Sequence, residues 1–119
     1  MTGRENDIKI ATVLREGFIK EYNDDQLFSL LLDTIKDGYE ERFIHRATKE
    51  CKLNVVVHYK RLKEMVDETR RQNVREIFER VCCIEEARAW INDNGKYTEI
   101  VAGIFYDFYK EKVMLYAKV

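Results

Sequence analysis

The chain offers few side chains that act as nucleophiles or metal ligands: Ser29, His45, Cys51, His58, Cys82 and Cys83. Zinc sites usually pair cysteines or histidines about two to four residues apart, and only the adjacent Cys82 and Cys83 come near that spacing. Neither His45 nor His58 has a glutamate three residues before it, as the di-iron helical bundles require. The sequence also lacks a glycine-rich phosphate loop and a Gly-x-Ser-x-Gly motif. We therefore expect no catalytic residue, no metal site and no cofactor, and a protein that is not an enzyme.

Basic residues are concentrated in the middle third of the chain. The net charge is only -1, but residues 41–80 hold eleven Lys and Arg against seven Asp and Glu, whereas residues 1–40 hold five against nine. A local excess of positive charge attracts phosphates and acidic partners. We therefore expect any electropositive face to come from residues 41–80.

A more specific pattern lies within that basic region. Residues 47–65, ATKECKLNVVVHYKRLKEM, resemble the helix-turn-helix pattern of bacterial and archaeal transcription regulators. The resemblance implies that Leu53 is the buried turn residue, that Asn54 caps the recognition helix, and that Leu62 and Met65 lie on its core side. It also implies phosphate contacts from a set of basic side chains: Arg42, Arg46, Lys49, Lys52, Lys60 and Lys63.

The same segment also fits an ordinary bundle helix. In the helix-turn-helix register, His58 stands where an apolar side chain should face the core, and Lys52 stands where the turn often has glycine. Rotating the helix buries a different apolar face: Val55, Tyr59, Leu62 and Val66. Residues 41–65 thus leave two alternatives open, a small DNA-binding protein and a bundle helix with no such role.

The C-terminal region is rich in aromatic residues. Six of the fourteen aromatic side chains of the protein lie within residues 97–119. One helix face does not bury them all, so we expect Tyr106, Tyr109 and Tyr116 to be partly exposed. Tyrosine is enriched at the centres of protein interfaces. We therefore expect these three residues to be contact anchors for a protein partner or a second copy of the chain.

A second basic cluster, Arg70, Arg71 and Arg75, lies among glutamates. Pairs such as Glu76 with Arg80 are spaced for ion pairs on one helix, which would make the cluster a solvated surface. Alternatively, the arginines steer an acidic partner toward the protein. We assign Arg70, Arg71 and Arg75 to the expected partner surface.

Hydrophobic spacing predicts the elements that position these residues. The first helix covers residues 7–22 and is capped by Asn6 or Asp7, and the second is capped within residues 23–25 and stops at Asp37–Gly38. Their buried stripes are expected to be Ile10, Val13, Leu14 and Phe18 in the first, and Leu27, Leu30, Leu31 and Ile35 in the second.

The middle of the chain predicts three more helices. A third begins at Tyr39 and runs toward Cys51, and Asn54 caps a fourth. Polar residues around Gln72–Asn73 predict a bend or break, because they contribute nothing to a core. Apolar residues then recur at helical spacing, which predicts a helix to about residue 91.

The end of the chain is ambiguous. Residues 92–95 form a turn signal, and a helix is predicted from Tyr97 to about residue 110. Asn94-Gly95 is also typical of a hairpin, and residues 113–119 have the β-branched and aromatic content of a strand. The last residues are therefore left as either helix or short strand.

The length and the amino-acid composition favour one compact helical domain that spans residues 1–119. The chain has 119 residues, 45% of them hydrophobic, with five glycines and no proline, which argues against a turn-rich β fold. We predict an all-α bundle of five to six helices with a possible short C-terminal β element. No apolar stretch approaches the roughly 18 residues of a membrane span, and an odd number of cysteines suits a reducing, cytoplasmic setting.

These observations together favour an interaction protein. We expect a non-enzymatic helical interaction or assembly module that self-associates, or binds a protein partner, through its aromatic C-terminal face. The alternative is the small DNA-binding protein described above. Nothing in the sequence identifies the partner.

Overall fold

The computed structural model describes residues 1–92 and 96–118, which form six α-helices. In chain order these are α1 (Glu5–Tyr22), α2 (Asp25–Cys51), α3 (Val55–Gln72), α4 (Val74–Cys82), α5 (Ala87–Ile91) and α6 (Thr98–Ala117). The prediction of a compact all-α fold with five to six helices is confirmed. In the described part of the chain, no helix is both long and apolar enough to cross a membrane.

Two groups of aromatic rings fill the core. Phe18 is the centre of the first, with ring centroids 5.2 to 5.9 Å from those of Phe28, Phe78, Trp90 and Tyr97. Phe43 is the centre of the second, 5.3 to 6.1 Å from the rings of Phe105, Tyr106 and Tyr109. The first group joins α1 to α2, α4 and α5, and the second joins α2 to α6, so the rings connect elements far apart in the chain.

The second predicted helix and the third are one continuous helix, α2. The predicted stop at Asp37–Gly38 is wrong, since α2 runs unbroken from Asp25 to Cys51. Glycine in a helix interior costs about 1 kcal/mol relative to alanine. That cost is offset because Phe43 and Ile44, beyond the glycine, are buried on the core side, and each contributes roughly 1.5–3 kcal/mol.

The predicted buried stripes of the first two helices are confirmed at Phe18 and Ile35 and wrong at Ile10, Val13, Leu27 and Leu30. In α1 the fully buried residues are Ala11 and Phe18, while Ile10 and Val13 are exposed. In the part of α2 before Gly38 the buried residues are Phe28, Leu32 and Ile35, while Leu27 and Leu30 are exposed. Apolar residues stand on more than one side of α2, so hydrophobic spacing alone did not select the core face. The aromatic cluster around Phe18 selects Phe28.

Two predicted helix caps are confirmed and one is wrong. The Asp24 carboxylate accepts from the backbone N–H of Gln26 and Leu27 at 2.8 and 3.1 Å. The Asn54 side chain accepts from Val56 and Val57 in the same way, at 3.0 and 3.1 Å. Such bonds satisfy backbone donors that have no partner within the helix.

The first helix, by contrast, begins two residues earlier than predicted. Arg4 is its N-cap residue and makes no side-chain cap hydrogen bond, so Asn6 and Asp7 lie inside the first turn instead of before it. The acidic Asp7 is still favourable there, because the helix dipole places positive charge at that end.

The break predicted at Gln72–Asn73 is confirmed, and a second break was missed. Asn73 ends α3 and also precedes α4. The expected continuation to residue 91 is interrupted after Cys82, where the chain meets the N-terminal segment. The backbone N–H of Thr2 donates to the Glu85 carbonyl at 2.7 Å, and that of Ala87 donates to the Thr2 carbonyl at 2.9 Å. At this break, hydrogen bonds to a segment more than 80 residues away take the place of hydrogen bonds within a helix.

The C-terminal strand alternative is wrong. Helix α6 continues to Ala117, and residues 111–117 are part of it. Val113 is fully buried and stands four residues after Tyr109, so helical geometry keeps it on the core face. The turn and hairpin predicted at Asn94-Gly95 lie outside the described residues.

Candidate functional site

Two of the three predicted anchor tyrosines are inside the protein. Tyr106 and Tyr109 are 1% and 0% exposed. The Tyr109 hydroxyl donates to the Leu62 carbonyl at 3.1 Å, and burial raises its pKa. The expectation that these rings lie at the surface is wrong, because α6 packs against α2, α3 and α4 and buries much of its circumference.

Tyr116 alone of the three retains an accessible surface. Its hydroxyl is 2.7 Å from Nδ1 of His58, and the two rings meet edge to face with centroids 5.4 Å apart. This contact joins the beginning of α3 to the end of α6. Its neighbours Met114 and Leu115 are exposed. We call Met114, Leu115 and Tyr116 the C-terminal patch.

Tyr106 belongs to a polar cluster around Glu50. One oxygen of the Glu50 carboxylate accepts from the Tyr106 hydroxyl at 2.6 Å and from Nε of Arg46 at 2.8 Å, and the other pairs with Nζ of Lys110 at 2.7 Å. Hydrogen bonds from Lys110, Tyr106 and Arg46 lower the pKa of Glu50 to about 2. The cluster fastens α2 to α6. Sequence reasoning missed it, because Glu50 and Tyr106 are 56 residues apart.

The arginines predicted to steer an acidic partner are engaged within the protein. Arg70 pairs with Asp67 at 3.1 Å and with Asp33 at 3.5 Å, and Arg71 pairs with Asp67 at 2.9 Å. Arg75 donates to Asn23 at 3.1 Å and lies over the Phe78 ring. Arg75 also pairs with Glu79 at 3.3 Å and Asp25 at 3.7 Å, so carboxylates offset the charge of all three arginines.

Within residues 47–65 the cap and most of the buried positions are as the resemblance implies, but the packing of α2 against α3 is different. Asn54 caps α3, Leu62 and Met65 are buried, and Lys52 adopts the left-handed conformation that glycine favours, with φ 56°. Leu53 is half-buried. The cap and the burial of Leu62 and Met65 therefore agree with the resemblance, whereas Leu53, which it implies to be buried, is only partly so.

Interhelical contacts show how α2 and α3 are placed. Asp33 pairs with Arg70, Lys36 with Asp67, Glu40 with Lys63, and Glu41 accepts from Tyr59, so residue numbers rise in one helix as they fall in the other. The helices run antiparallel, side by side, as a hairpin. DNA-reading helix-turn-helix pairs cross at about 90–120°. The antiparallel placement of α2 and α3 therefore differs from the helix arrangement that the resemblance implies.

The basic residues assigned to DNA do not form one surface. Lys60 and Lys63 line a groove of about 540 Å³ between α2 and α3, together with Glu40, Glu64 and other acidic residues. Arg46 borders a separate groove between α2 and α6. Lys49 and Lys52 are exposed near the end of α2. The acids in the first groove offset the charge of its lysines. Of the other four cations, Arg42, Arg46 and Lys49 lie on α2, and Lys52 is its C-cap residue.

An exposed apolar face on α2 was missed, because sequence reasoning assigned its residues to the core. Leu27 and Leu30 are 49% and 64% exposed, and Leu31 beside them is half-buried. We call these three residues the leucine face. It borders a groove of about 400 Å³ that Tyr22 and Thr34 also line. On its other side Leu30 borders a groove of about 670 Å³ with Val74. Leu30 is thus a ridge between two grooves.

The residues suited to nucleophilic or metal chemistry are dispersed. Nε2 of His45 is 3.9 Å from Glu41, and His58 contacts Tyr116. Burial raises the pKa of the Cys51 and Cys82 thiols, which lowers their reactivity. Within residues 1–92 and 96–118, no three or more histidine, cysteine or acidic side chains are grouped to hold a metal ion.

Comparison of the chain with protein-family models, curated proteins and solved structures finds no significant match. Any function must therefore be argued from the arrangement of its own residues.

Proposed function

We propose that this protein is a non-enzymatic helical interaction module that self-associates, or binds a protein partner, through the leucine face of α2. The observation that carries the proposal is the exposure of Leu27 and Leu30 beside Leu31. Their spacing of i, i+3 and i+4 is the pattern with which one helix contacts another. The contact residues are then these leucines, in place of Tyr106 and Tyr109.

The packing of α2 supports the leucine face as a contact surface. Phe28, Leu32 and Ile35 already bury the core side of the same helix segment. The N-terminal half of α2 is therefore apolar on two sides, whereas a helix at a protein surface is ordinarily polar on its outer side. Complete burial of a leucine contributes roughly 1.5–3 kcal/mol, so covering the leucine face stabilises a complex.

The shape of the surface supports a helical partner. Leu30 projects between two grooves, and ridges that fit into grooves are how helices pack on one another. A stable interface buries roughly 800 Å² on each partner. The leucines would supply the apolar centre of such an interface, and the residues that line the two grooves its surroundings.

Self-association is tested by measuring molar mass by light scattering over a range of protein concentrations. The wild type is expected to exceed the mass of one chain as concentration rises, and Leu27→Gln with Leu30→Gln to keep the mass of one chain. The matched control is Met114→Gln with Leu115→Gln, which changes two exposed apolar residues in the C-terminal patch. It should associate as the wild type does.

The alternative of a different protein partner is tested by a photo-crosslinking side chain placed at position 30 or at position 115. A protein adduct that forms at position 30 and not at position 115 supports the proposal. A wild type that has the mass of one chain at every concentration, together with no adduct at position 30, refutes it. Association that persists in the double glutamine variant of the leucine face also refutes it.

A further inference from the structure

Basic side chains line the outer face of α2 in its C-terminal half. Arg42, His45, Arg46 and Lys49 are all exposed and are spaced i, i+3, i+4 and i+7, which places them on one side of the helix. Residues on the opposite side are buried: Phe43, Ile44, Ala47 and Thr48. We call the four exposed residues the basic ridge. At 1.5 Å per residue it extends about 10 Å along the helix.

Two cations of the ridge, Arg42 and Lys49, make no ion pair with a carboxylate in the described part of the chain, whereas Arg46 pairs with Glu50. Ion pairs hold much of the positive charge on α3, whereas no ion pair of the described residues involves Arg42, Lys49 or the adjacent Lys52. Like charges three or four residues apart destabilise a helix by a few tenths of a kcal/mol per pair. The acidic neighbours are Glu41, which pairs with His45, Glu50, which pairs with Arg46, and Glu99 on α6, which accepts from the Tyr39 hydroxyl.

Two of the cations are held in a fixed orientation. The guanidinium carbons of Arg42 and Arg46 each lie 4.1 Å from a tyrosine ring centroid, over Tyr39 and Tyr106 respectively. Stacking fixes the plane of a guanidinium and leaves its edges free to donate to oxygen acceptors. In Arg46 the Nε donor is already used by Glu50, which leaves the two terminal nitrogens. Bidentate contact with phosphate uses those edges.

A groove lies next to these arginines. It has a volume of about 260 Å³ and runs between α2 and α6. Two cations, Arg42 and Arg46, and one carboxylate, Glu99, line it together with the small residues Ala102 and Gly103. A Cβ atom at Gly103 would meet nothing within 4 Å, so the groove is open above that residue. Small side chains there leave room for a chain of phosphates to approach both guanidiniums.

We propose that the basic ridge binds the phosphodiester backbone of nucleic acid without reading its sequence. A row of cations along one helix matches a polymer whose negative charges recur at regular intervals. A partner with one carboxylate would engage one arginine and leave the rest of the row unused. The proposal is independent of the leucine face, since the ridge lies in the other half of α2, and it does not need the helix-turn-helix crossing.

The test is the salt dependence of binding to a fluorescein-labelled DNA duplex of arbitrary sequence, measured by fluorescence anisotropy. Each phosphate neutralised contributes about 0.9 to the slope of log Kobs against log salt concentration. Arg42→Gln with Lys49→Gln removes two ridge cations that make no ion pair, so the slope should fall in magnitude by about 1.8. Circular dichroism of the variant confirms its fold.

Lys9→Gln with Lys20→Gln is the matched control, because it removes the same charge from exposed positions on α1. Its slope should equal that of the wild type. The proposal is overturned if the wild type does not bind the duplex at low salt, or if both variants change the slope equally. It is also overturned if a labelled polyglutamate peptide displaces the duplex and binds more tightly, since the ridge would then be a site for acidic protein segments.

Discussion

Tyr106 and Tyr109 have the same residue type and nearly the same burial, but their hydroxyls are satisfied in different ways. Tyr109 donates to a backbone carbonyl inside the core, and Tyr106 donates to the Glu50 carboxylate at the edge of the core. A buried hydroxyl without an acceptor is costly. The two acceptors, on α3 and α2, are what allow polar rings on α6 to occupy the interior.

Removing the Tyr109 hydroxyl should destabilise the protein modestly. Tyr109→Phe deletes one hydrogen bond and leaves the Leu62 carbonyl without that partner, so the free energy of unfolding should fall by about 1 kcal/mol. Tyr109→Ala also empties part of the core and should cost roughly 3–5 kcal/mol. Urea unfolding measures both. Equal losses for the two variants would contradict the packing role assigned to the ring.

Glu50 should make stability depend on pH in the acid range. Its pKa is lowered from 4.5 to about 2 in the folded protein, so its contribution is complete above pH 4.5 and is lost as the pH falls through about 2. Glu50→Gln lacks that contribution. The difference in unfolding free energy between wild type and variant should therefore shrink as the pH falls over this interval. A difference that stays constant would show that Glu50 is not held as a charged acceptor.

At the scale of elements, α2 is the central feature, because it carries the leucine face, the basic ridge and one side of both aromatic groups. Its length of 27 residues depends on continuity through Gly38, which is exposed. A helix that ended there would leave the two halves of α2 free to reorient. The buried residues on either side of Gly38 prevent this.

Replacing Gly38 by alanine should stabilise the protein. A Cβ atom at Gly38 meets nothing within 4 Å, and alanine is favoured over glycine in a helix interior by about 0.5–1 kcal/mol. Gly17→Ala is the comparison, because a Cβ there would lie 3.1 Å from the Tyr97 hydroxyl. Thermal unfolding should show a higher Tm for Gly38→Ala and a smaller gain, or a loss, for Gly17→Ala. A lower Tm for Gly38→Ala would contradict a continuous α2.

At the scale of the whole molecule, the aromatic core decides which side of each helix faces inward. Phe28 meets Phe18 and Phe78 from other helices, with centroid distances of 5.9 and 5.4 Å, while Leu27 next to it faces outward. The two residues are neighbours in sequence and both are strongly apolar. Only the arrival of α1 and α4 on one side of α2 distinguishes them.

Substitution of these neighbours tests that orientation. Phe28→Ala should lower the free energy of unfolding by about 3–5 kcal/mol, because it leaves a cavity among the rings. Leu27→Ala should change it by no more than about 0.5 kcal/mol in the dissociated chain, as expected for a surface position. Chemical denaturation at low protein concentration measures both. A larger loss of unfolding free energy for Leu27→Ala than for Phe28→Ala would show that the leucine face is the buried one.

The fold could be predicted from the sequence where local forces act. The helical rhythm, the caps Asp24 and Asn54 and the break at Gln72–Asn73 follow from hydrogen bonds and turn chemistry within a few residues. These features require no knowledge of the rest of the chain. They were enough to predict an all-α protein.

The candidate surfaces could not be predicted in the same way. Burial of Tyr106, exposure of Leu30 and pairing of Arg70 with Asp33 each depend on residues from other helices. Hydrophobic spacing gives the period of a helix, but α2 is apolar on two sides and its rotation is set by what packs against it. The amino-acid order by itself determined the helical class and the local caps and break, whereas the continuity of α2, the break after Cys82 and the full length of α6 depended on distant contacts. Only the tertiary structure decided which faces remain exposed, because burial is a property of contacts between distant segments.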